Sequence, residues 1–524
     1  TTLAKYGMAG WLKNVNYDWI QKMFQAPDGQ RISDLSEGAR LRLALTELGT
    51  TFIKLGQILS TRPDLVGPEI MSELAQLQSG TPADPPDVVR SIVESELQGS
   101  IEDLFLEFND VAAASASIGQ VHFAKLKDGT SVVVKVQHPG IEETIRSDLD
   151  ILHAMAQLAE NYSEEARQYR PTDTIEEFSR TLLAELDFTQ ERRSLDRFAT
   201  NFARDDTVFI PAAWGELSTQ RVLTMDRLDG ISLAKSEKLT ERGYDLNVLA
   251  ERGANIFLEM IFRDGFYHAD PHPGNIFAMA DSKIGLLDFG MVGRIDDKLR
   301  EQFEDLLIAA GNRDTLGLCD AICELGSVPK ELDTDELRAE IGEFLAEYAT
   351  QSLEEFDVGG ALNRMMEIIR KFKIILPSRV SLLIKVLVML EGTARELNPQ
   401  FSLAEILEPF KQKIVQRRMS PRRLLQKARR NAADWSRLAE IAPRELADIL
   451  SQIKRGSFDV HLEHRKLDVV VNRMVMGILT AALFVGSASI LSNAVPPLIA
   501  KKVSVLGLAG CGVAVFMGFR LVIA

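Results

Sequence analysis

The chain has 524 residues, 46% of them hydrophobic and 26% charged, with a formal net charge of −15. That composition excludes wholesale disorder, and the acidic balance argues against nucleic-acid binding as the main task. The length allows roughly two to four domains.

The N-terminal stretch TTLAKYGMAGWLKNV has no long apolar run, so no cleaved signal peptide is expected. Residues 1–105 read as helical: Leu41, Leu45, Leu48, Phe52, Leu55 and Leu59 recur at spacings of three and four. The segment TPADPPD, 81–87, interrupts that pattern. From about 111 to 136 the period changes. VHFAKL, the turn Lys127-Asp128-Gly129-Thr130 and SVVVKV predict a β-hairpin. Helices return over 141–200, short strands are expected near 208–225 and 284–288, and helices then dominate to about 410. Cys319, Cys323 and Cys511 have no CxxC or Cys/His companions, so they read as small apolar side chains in a reducing compartment.

Two stretches near the C-terminus differ in kind. KQKIVQRRMSPRRLLQKARR, 411–430, carries nine basic residues and no acidic one. Ile414, Val415, Leu424 and Leu425 interleave with the charges, which suits a helix lying on anionic lipid headgroups. Met474–Ala500 and Val503–Phe519 contain no charged residue. They predict two transmembrane helices, with Arg520 snorkelling and a turn at Pro496, Pro497, Lys501 and Lys502. The positive-inside rule places the large N-terminal portion in the cytoplasm, with Lys501 and Lys502 pulling weakly the other way.

HADPHPGN, 268–275, admits two chemistries. Its two histidines and its aspartate could ligate a metal. But metal-binding histidine pairs favour i,i+4 spacing on a helix, and prolines flank His272 on both sides. Alternatively, His268, Asp270 and Asn275 occupy the positions of the kinase loop HRDxxxxN, and Asp288-Phe289-Gly290 follows on an apolar run. In such a site the loop aspartate orients the nucleophile or accepts its proton, while the asparagine and the DFG aspartate hold Mg²⁺ on the phosphates. Upstream, ASASIGQV sets Ala114, Ala116 and Gly119 at the three glycine positions of GxGxxGxV and Val121 at its valine. Lys135 closes VVVK fourteen residues after Val121, inside a predicted strand. Four elements in kinase order shift the chemistry from the histidines to Asp270 and Asn275. His268 becomes structural and His272 a loop-shaping residue. Glu185, Asp187 and Glu191 are the carboxylates offered to Lys135. No APE motif follows DFG, so a peptide-docking segment is not recognisable.

On these motifs the chain resembles the UbiB (AarF/ABC1-type) atypical protein-kinase-like family. The matching residues are Lys54-Leu55-Gly56-Gln57 (KxGQ), AAASASIGQVH, Glu185-Leu186-Asp187 (ExD), HADPHPGN and LLDFG. One departure is LQSGTPADPP, where an Asp-containing LQD-type segment is expected before the prolines. The resemblance implies an α+β, two-lobed kinase-like fold with an N-terminal helical KxGQ extension. It divides the chain into an extension (1–105), a kinase-like domain (106–408, lobes meeting near 228), a basic juxtamembrane segment (409–470) and a transmembrane hairpin (471–524). It also implies that the KxGQ helix covers the peptide site, with Lys54 and Gln57 set against Glu185 and Asp187. Lys54 would meet Glu185, and Lys135 would pair with Glu191.

The expected cofactors are ATP and Mg²⁺, with Asp270 and Lys135 catalytic and Asn275 and Asp288 holding the metal. The expected nucleotide site comprises Ala113, Ala114, Ser115, Ala116, Ser117, Ile118, Gly119, Val121, Lys135, Glu191, Met225 and Leu228. The implied function is a membrane-stimulated ATPase supporting ubiquinone or related isoprenoid quinone biosynthesis, anchored in a bacterial inner membrane. Its implied partners are anionic lipids and quinone precursors or quinone-biosynthesis proteins. Two other functions fit the same motifs: a phosphotransferase acting on a protein or lipid, and a nucleotide-sensing scaffold.

Overall fold

The computed structural model describes residues 35–60, 62, 65–77, 81–162, 167, 170–329, 331–348, 351–352, 356–418, 467–493, 495–499 and 503–523. The chain divides into two compact units, Thr1–Ser420 and Pro421–Ala524.

The first unit begins with α1 (Glu37–Leu48), α2 (Thr50–Leu59) and α3 (Pro68–Leu74). Ser36 caps α1 by accepting the Ala39 N–H. Gly49, at φ +100, makes the corner between α1 and α2. Gly56 lies where a Cβ would fall 2.3 Å from Leu77 Cδ1 and 2.8 Å from Leu45 Cδ1. The glycine of KxGQ is therefore a packing residue that lets α2 approach its neighbours.

A five-stranded antiparallel sheet follows: β1 (Glu107–Phe108), β2 (Ala114–Ser115), β3 (Gly119–Lys125), β4 (Ser131–Gln137) and β6 (Val222–Asp226). Its order is β1-β3-β4-β6, with β2 also on β3. The β3–β4 turn has Gly129 at φ +89, as the predicted hairpin requires. Alternation along β4 buries Val132, Val134 and Val136 under α4 (Pro86–Leu97), where they meet Val89, Ile92 and Val93. The same alternation sends Lys135 to the opposite face. Gly119 starts β3 where a Cβ would lie 2.4 Å from the Val136 carbonyl oxygen. Gly119→Ala should therefore cost roughly 1–3 kcal/mol by overpacking. That would be read as a lower denaturation midpoint of the full chain with an unchanged denaturant slope.

Three helices cross from the sheet: α5 (Ile141–Tyr162), α6 (Pro171–Glu185) and α7 (Phe188–Asn201). Asp187 caps α7 through the Thr189 N–H. Next come β5 (Val208–Phe209), β7 (Ile231–Ser232) and α8 (Leu246–Glu259), which widens into a π-helical turn over Met260–Asp264. Four short strands then carry the chemistry: β8 (Phe266–His268), β9 (Ile276–Ala278), β10 (Ile284–Leu286) and β11 (Val292–Arg294). β9 pairs β10, and β11 returns to pair β8, so the 269–275 and 287–291 loops lie together.

The remainder of the unit is helical: α9 (Asp297–Gly311), α10 (Thr315–Leu325), α11 (Thr334–Tyr348), α12 (Val358–Lys371), α13 (Ser378–Leu397) and α14 (Leu403–Arg418). Cys319 and Cys323 are free thiols on α10.

One expectation changes in α14. Ile414 is buried, and with Phe410 it lines a small cavity against Phe262. The start of the basic segment therefore turns Ile414 toward protein, not lipid. Residues 419–430 lie outside the described residues.

The second unit contains α15 (Leu467–Ser492), a two-residue ladder of β12 (Leu498–Ile499) on β13 (Val503–Ser504), and α16 (Val505–Ile523). Of the two predicted spans, one stands on length and composition: Met474–Ser492, 19 residues, mostly solvent-facing. At 1.5 Å per residue it covers about 28 Å, close to a bilayer core. The second begins two residues later than expected, because Val503 and Ser504 join the ladder. Its helix runs Val505–Ile523, and the apolar stretch Val505–Gly518 within it covers about 21 Å at the same rise. The two helices pack antiparallel and closely. A Cβ on Gly507 would lie 2.7 Å from the Leu491 nitrogen, and one on Gly510 would lie 2.1 Å from Ser487 Oγ. Lys501 and Lys502 fall outside the described residues.

Candidate active site

Lys135 reaches from β4 to a buried carboxylate on α7. Its Nζ lies 2.7 Å from Glu191 Oε2, 3.9 Å from Asp288 Oδ1, and 5.0 Å from the Phe188 ring centroid. Burial pulls this ammonium's pKa down, but Glu191 and Asp288 outweigh it and hold Lys135 above the ordinary lysine value. On the extension, Lys54 Nζ lies 2.7 Å from Glu185 Oε2. Burial again opposes the charge, and Glu185 again wins, so Lys54 is also raised.

The Asp270 loop is held on all sides. His268 is fully buried between Phe257 and Phe289. Its Nδ1 accepts the Asp270 N–H at 3.1 Å, and its Nε2 bonds the Leu287 carbonyl at 2.9 Å. These bonds assign the proton to Nε2 and tie Asp270 to the segment that leads from β10 to Asp288. The Pro271 carbonyl accepts from Thr393 Oγ1 at 3.2 Å, and the Pro273 carbonyl from Ser232 Oγ at 2.9 Å. His272 Nδ1 accepts the Gly274 N–H at 3.0 Å. Both histidines are thus engaged within the loop. Among the described residues, no group of three or more His, Cys, Asp or Glu is placed to hold a metal.

Asn275 Nδ2 donates to Asp270 Oδ2 at 2.8 Å, so the loop aspartate and asparagine act as one unit. Asp288 has φ +60, a left-handed conformation costing roughly 1–2 kcal/mol for a non-glycine residue. Burial would raise its pKa, but Lys135 and Lys54 more than compensate, so it is held below the ordinary value and stays a carboxylate.

These groups line one cavity of about 730 Å³, a size suited to a small-molecule ligand. Lys54, Gln57, Ala116, Ser117, Ile118, Gly119, Lys135, Glu185, Glu191, Asp270, Asn275 and Asp288 all reach it. Ala113, Ala114, Ser115, Val121, Asp187, Met225 and Leu228 are not part of its lining. Met225 is buried in the main core opposite Val133. Residues of α2 and α3 and of their C-terminal caps, among them Ser60, Met71, Ser72 and Ala75, form one wall. Gln57 Nε2 donates to the Leu77 carbonyl at 3.0 Å, and Thr51 Oγ1 to Asp148 Oδ2 at 2.6 Å, which fastens that wall.

The donor set fits Mg²⁺. Asn275 and Asp288 supply hard oxygens, and Glu191 Oε1 is a buried acceptor without a hydrogen-bond partner. Mg²⁺ takes such ligands and completes its shell with water and phosphate.

Several participants escaped the sequence reading. Asp84, in TPADPP, bonds His138 Nδ1 at 2.5 Å, and His138 Nε2 bonds the Ala116 carbonyl at 2.9 Å. The Asp84 N–H donates to Gln120 Oε1 at 2.6 Å. An acidic residue between prolines thus braces the alanine-rich loop. Lys385 also lines the cavity. Its sequence signal was a single charge inside SLLIKVLVML.

Three family models match the chain. Residues 76–321 match the ABC1 atypical kinase-like domain, 341–402 the UbiB helical domain, and 461–524 the ABC1/UbiB kinase-like C-terminal domain. A probable protein kinase UbiB from Pseudomonas aeruginosa is 36% identical over 427 residues, covering 81% of this chain and 80% of that protein. The chain belongs to the UbiB (ABC1) family. Another UbiB protein, a probable protein kinase from Azotobacter vinelandii, is 32% identical over 495 residues, covering 93% and 89%. A solved structure, the complex of Rv3197 with erythromycin from Mycobacterium tuberculosis, aligns with TM-score 0.48 at 23% identity, covering 70% of this chain and 93% of that one. As a UbiB-family protein the chain has a kinase-like fold, with its sheet toward the N-terminus and helices toward the C-terminus.

Proposed function

We propose that this protein is a membrane-anchored, Mg²⁺-dependent ATPase of kinase-like build that supports isoprenoid quinone biosynthesis. The observation that carries the reading is the convergence of Lys135–Glu191, Asp270–Asn275 and Asp288 on one cavity. Lys135 binds the α- and β-phosphates, Asn275 and Asp288 hold the metal, and Asp270 orients the attacking water or hydroxyl. The bound metal would neutralise charge on the phosphate oxygens. The loop from Ala116 to Gly119 lies over the phosphates. Its small side chains keep the backbone close, though less close than glycines would allow.

The wall formed by α2 and α3 favours ATP hydrolysis over peptide phosphorylation, because it stands beside Asp270 where a protein substrate would enter. A phosphotransferase acting on a protein or small lipid is the second reading, since Asp270 could orient an acceptor hydroxyl as well as a water. A pure nucleotide-sensing scaffold has no use for Asp270. The apolar exposed faces of α15 and α16, including Leu479, Phe484, Val485, Leu508 and Phe516, suit lipid contact. In this reading α15 spans the bilayer, and α16 enters beside it.

The quinone link comes from the name of the relatives and is tested by the quinone and precursor profile of cells lacking the protein. A deficit restored by the wild-type chain, but not by Asp288→Asn, is expected. An unchanged profile contradicts the link.

A further inference from the structure

Three lysines line the cavity, and two of them are matched. Lys54 has Glu185 and Lys135 has Glu191, each at 2.7 Å. Lys385, on α13, shares the lining with Asp270, His272, Asn275 and Asp288. Among the described residues its ammonium has no hydrogen bond and no ion pair within 4 Å. The ionised groups it feels are Asp270, which favours its charge, and Lys54, which opposes it. Burial is the stronger influence and pulls its pKa below the ordinary lysine value.

The position of Lys385 is fixed by its helix. Leu383, Val386, Leu387 and Leu390 bury the other face of α13 in the main core. Ile384, Val388 and Met389 flank the lysine on the cavity side. Eight residues on, about 12 Å along the axis, Thr393 Oγ1 donates to the Pro271 carbonyl. The helix is thus registered against the same loop that carries Asp270. An unpaired ammonium partly withdrawn from water is costly unless something anionic meets it.

Resting on the reading of the cavity as a Mg·ATP site, we propose that Lys385 binds the terminal phosphoryl group of the nucleotide and stabilises the charge on its oxygens during transfer. In the step it serves, the bond from the γ-phosphorus to the β-bridging oxygen breaks and its electron pair leaves with ADP. A water oxygen bonds to the γ-phosphorus and gives up its proton through Asp270 to solvent. Lys385 gains and loses no proton. ADP lacks the group that Lys385 contacts, so the residue discriminates ATP from ADP.

The test uses the full chain in liposomes containing anionic lipid. ATP turnover is measured, and Mg·ATP and Mg·ADP affinities are measured separately by displacement of a fluorescent nucleotide. For Lys385→Gln and Lys385→Met the expected result is a fall in kcat of about 10²–10³-fold, the usual loss for one charge-stabilising donor. Mg·ADP affinity should stay within about threefold, and the preference for ATP over ADP should vanish. Lys385→Arg should recover much of both. Lys385→Met should unfold at the same temperature as wild type, since no hydrogen bond or ion pair is lost with the ammonium, which separates this role from a structural one. If both variants keep wild-type kcat and the ATP preference while Asp288→Asn is inactive, the Lys385 proposal is overturned and the ATPase reading stands. If wild type turns over no ATP, the ATPase reading falls; if Asp288→Asn turns over ATP like wild type, Asp288 is not the metal ligand. The nucleotide affinities then still decide Lys385: a lost ATP preference supports it and a retained one overturns it.

Discussion

Asp288→Asn will lower ATP turnover by roughly a thousandfold while leaving the fold intact. A metal's stabilisation of transferring phosphate is worth several kcal/mol, and each ~1.4 kcal/mol is tenfold in rate. The substitution isolates that effect for two reasons. Asparagine tolerates the left-handed backbone that Asp288 adopts at φ +60, so no new strain arises. Lys135 also keeps Glu191 at 2.7 Å, so no ammonium is orphaned. The measurement is steady-state phosphate release beside a thermal unfolding curve. The pH dependence has a definite sign. A carboxylate whose folded pKa is depressed adds stability above its ordinary value of 3.8 and loses it as pH falls through the folded value. Asp288 is therefore ionised throughout pH 5–8, and a bell-shaped rate profile in that window must come from other groups.

The second large effect concerns the extension. Glu185→Gln will leave the Lys54 ammonium in a largely buried site without its contact carboxylate, with only the more distant Asp288 still favouring its charge. Breaking one side of such a pair typically costs about 3–5 kcal/mol. Because α2 is also fastened by Thr51–Asp148, the loss should appear as local opening of α2 and α3 before global unfolding. Hydrogen exchange over residues 50–77 reads it directly. The double variant Lys54→Met, Glu185→Leu should recover most of the loss, since an apolar pair of similar volume is often as stable as a buried ion pair. Lys54 has a raised folded pKa. Its contribution is thus complete below the ordinary lysine value of 10.5 and fades as pH rises through the folded value. The gap between wild type and Lys54→Met should be constant from pH 6 to 9 and shrink only above that. A gap that closes at pH 8 would point to a different partner for Lys54.

Much of this molecule could be read from local pattern. The SVVVKV strand, its KDGT turn and the side on which Lys135 emerges follow from period-two alternation alone. The pairing of the 268–275 and 288–290 loops follows from their order, and the structure supplies the reason: β8–β11 and β9–β10 pairing stitches them together. What failed to show was long-range. Lys385 is about 115 residues beyond Asp270, and no period or spacing links the two. Asp84 acts through His138, 54 residues away. Gly119 sat in a motif that suggested nucleotide chemistry, and Gly56 in one that implied a cover over the peptide site. Yet the atoms a Cβ would meet are the Val136 carbonyl, Leu77 and Leu45, so both answer to packing. At the C-terminus, composition gave two apolar runs. The backbone spent two residues of the second on a ladder, and hydropathy has no way to register that.

The central claim is that the cavity lined by Lys135, Asp270, Asn275 and Asp288 is a Mg·ATP site. Its most direct test is equilibrium binding of ATP to the full chain with Mg²⁺ present and with Mg²⁺ chelated, for wild type and Asp288→Asn. The expected result is one site per chain whose affinity for ATP drops at least about tenfold when Mg²⁺ is withdrawn, a drop already present in Asp288→Asn and not deepened there by chelation. Equal ATP affinity in all four conditions, or a Mg²⁺ effect of full size in Asp288→Asn, would contradict it.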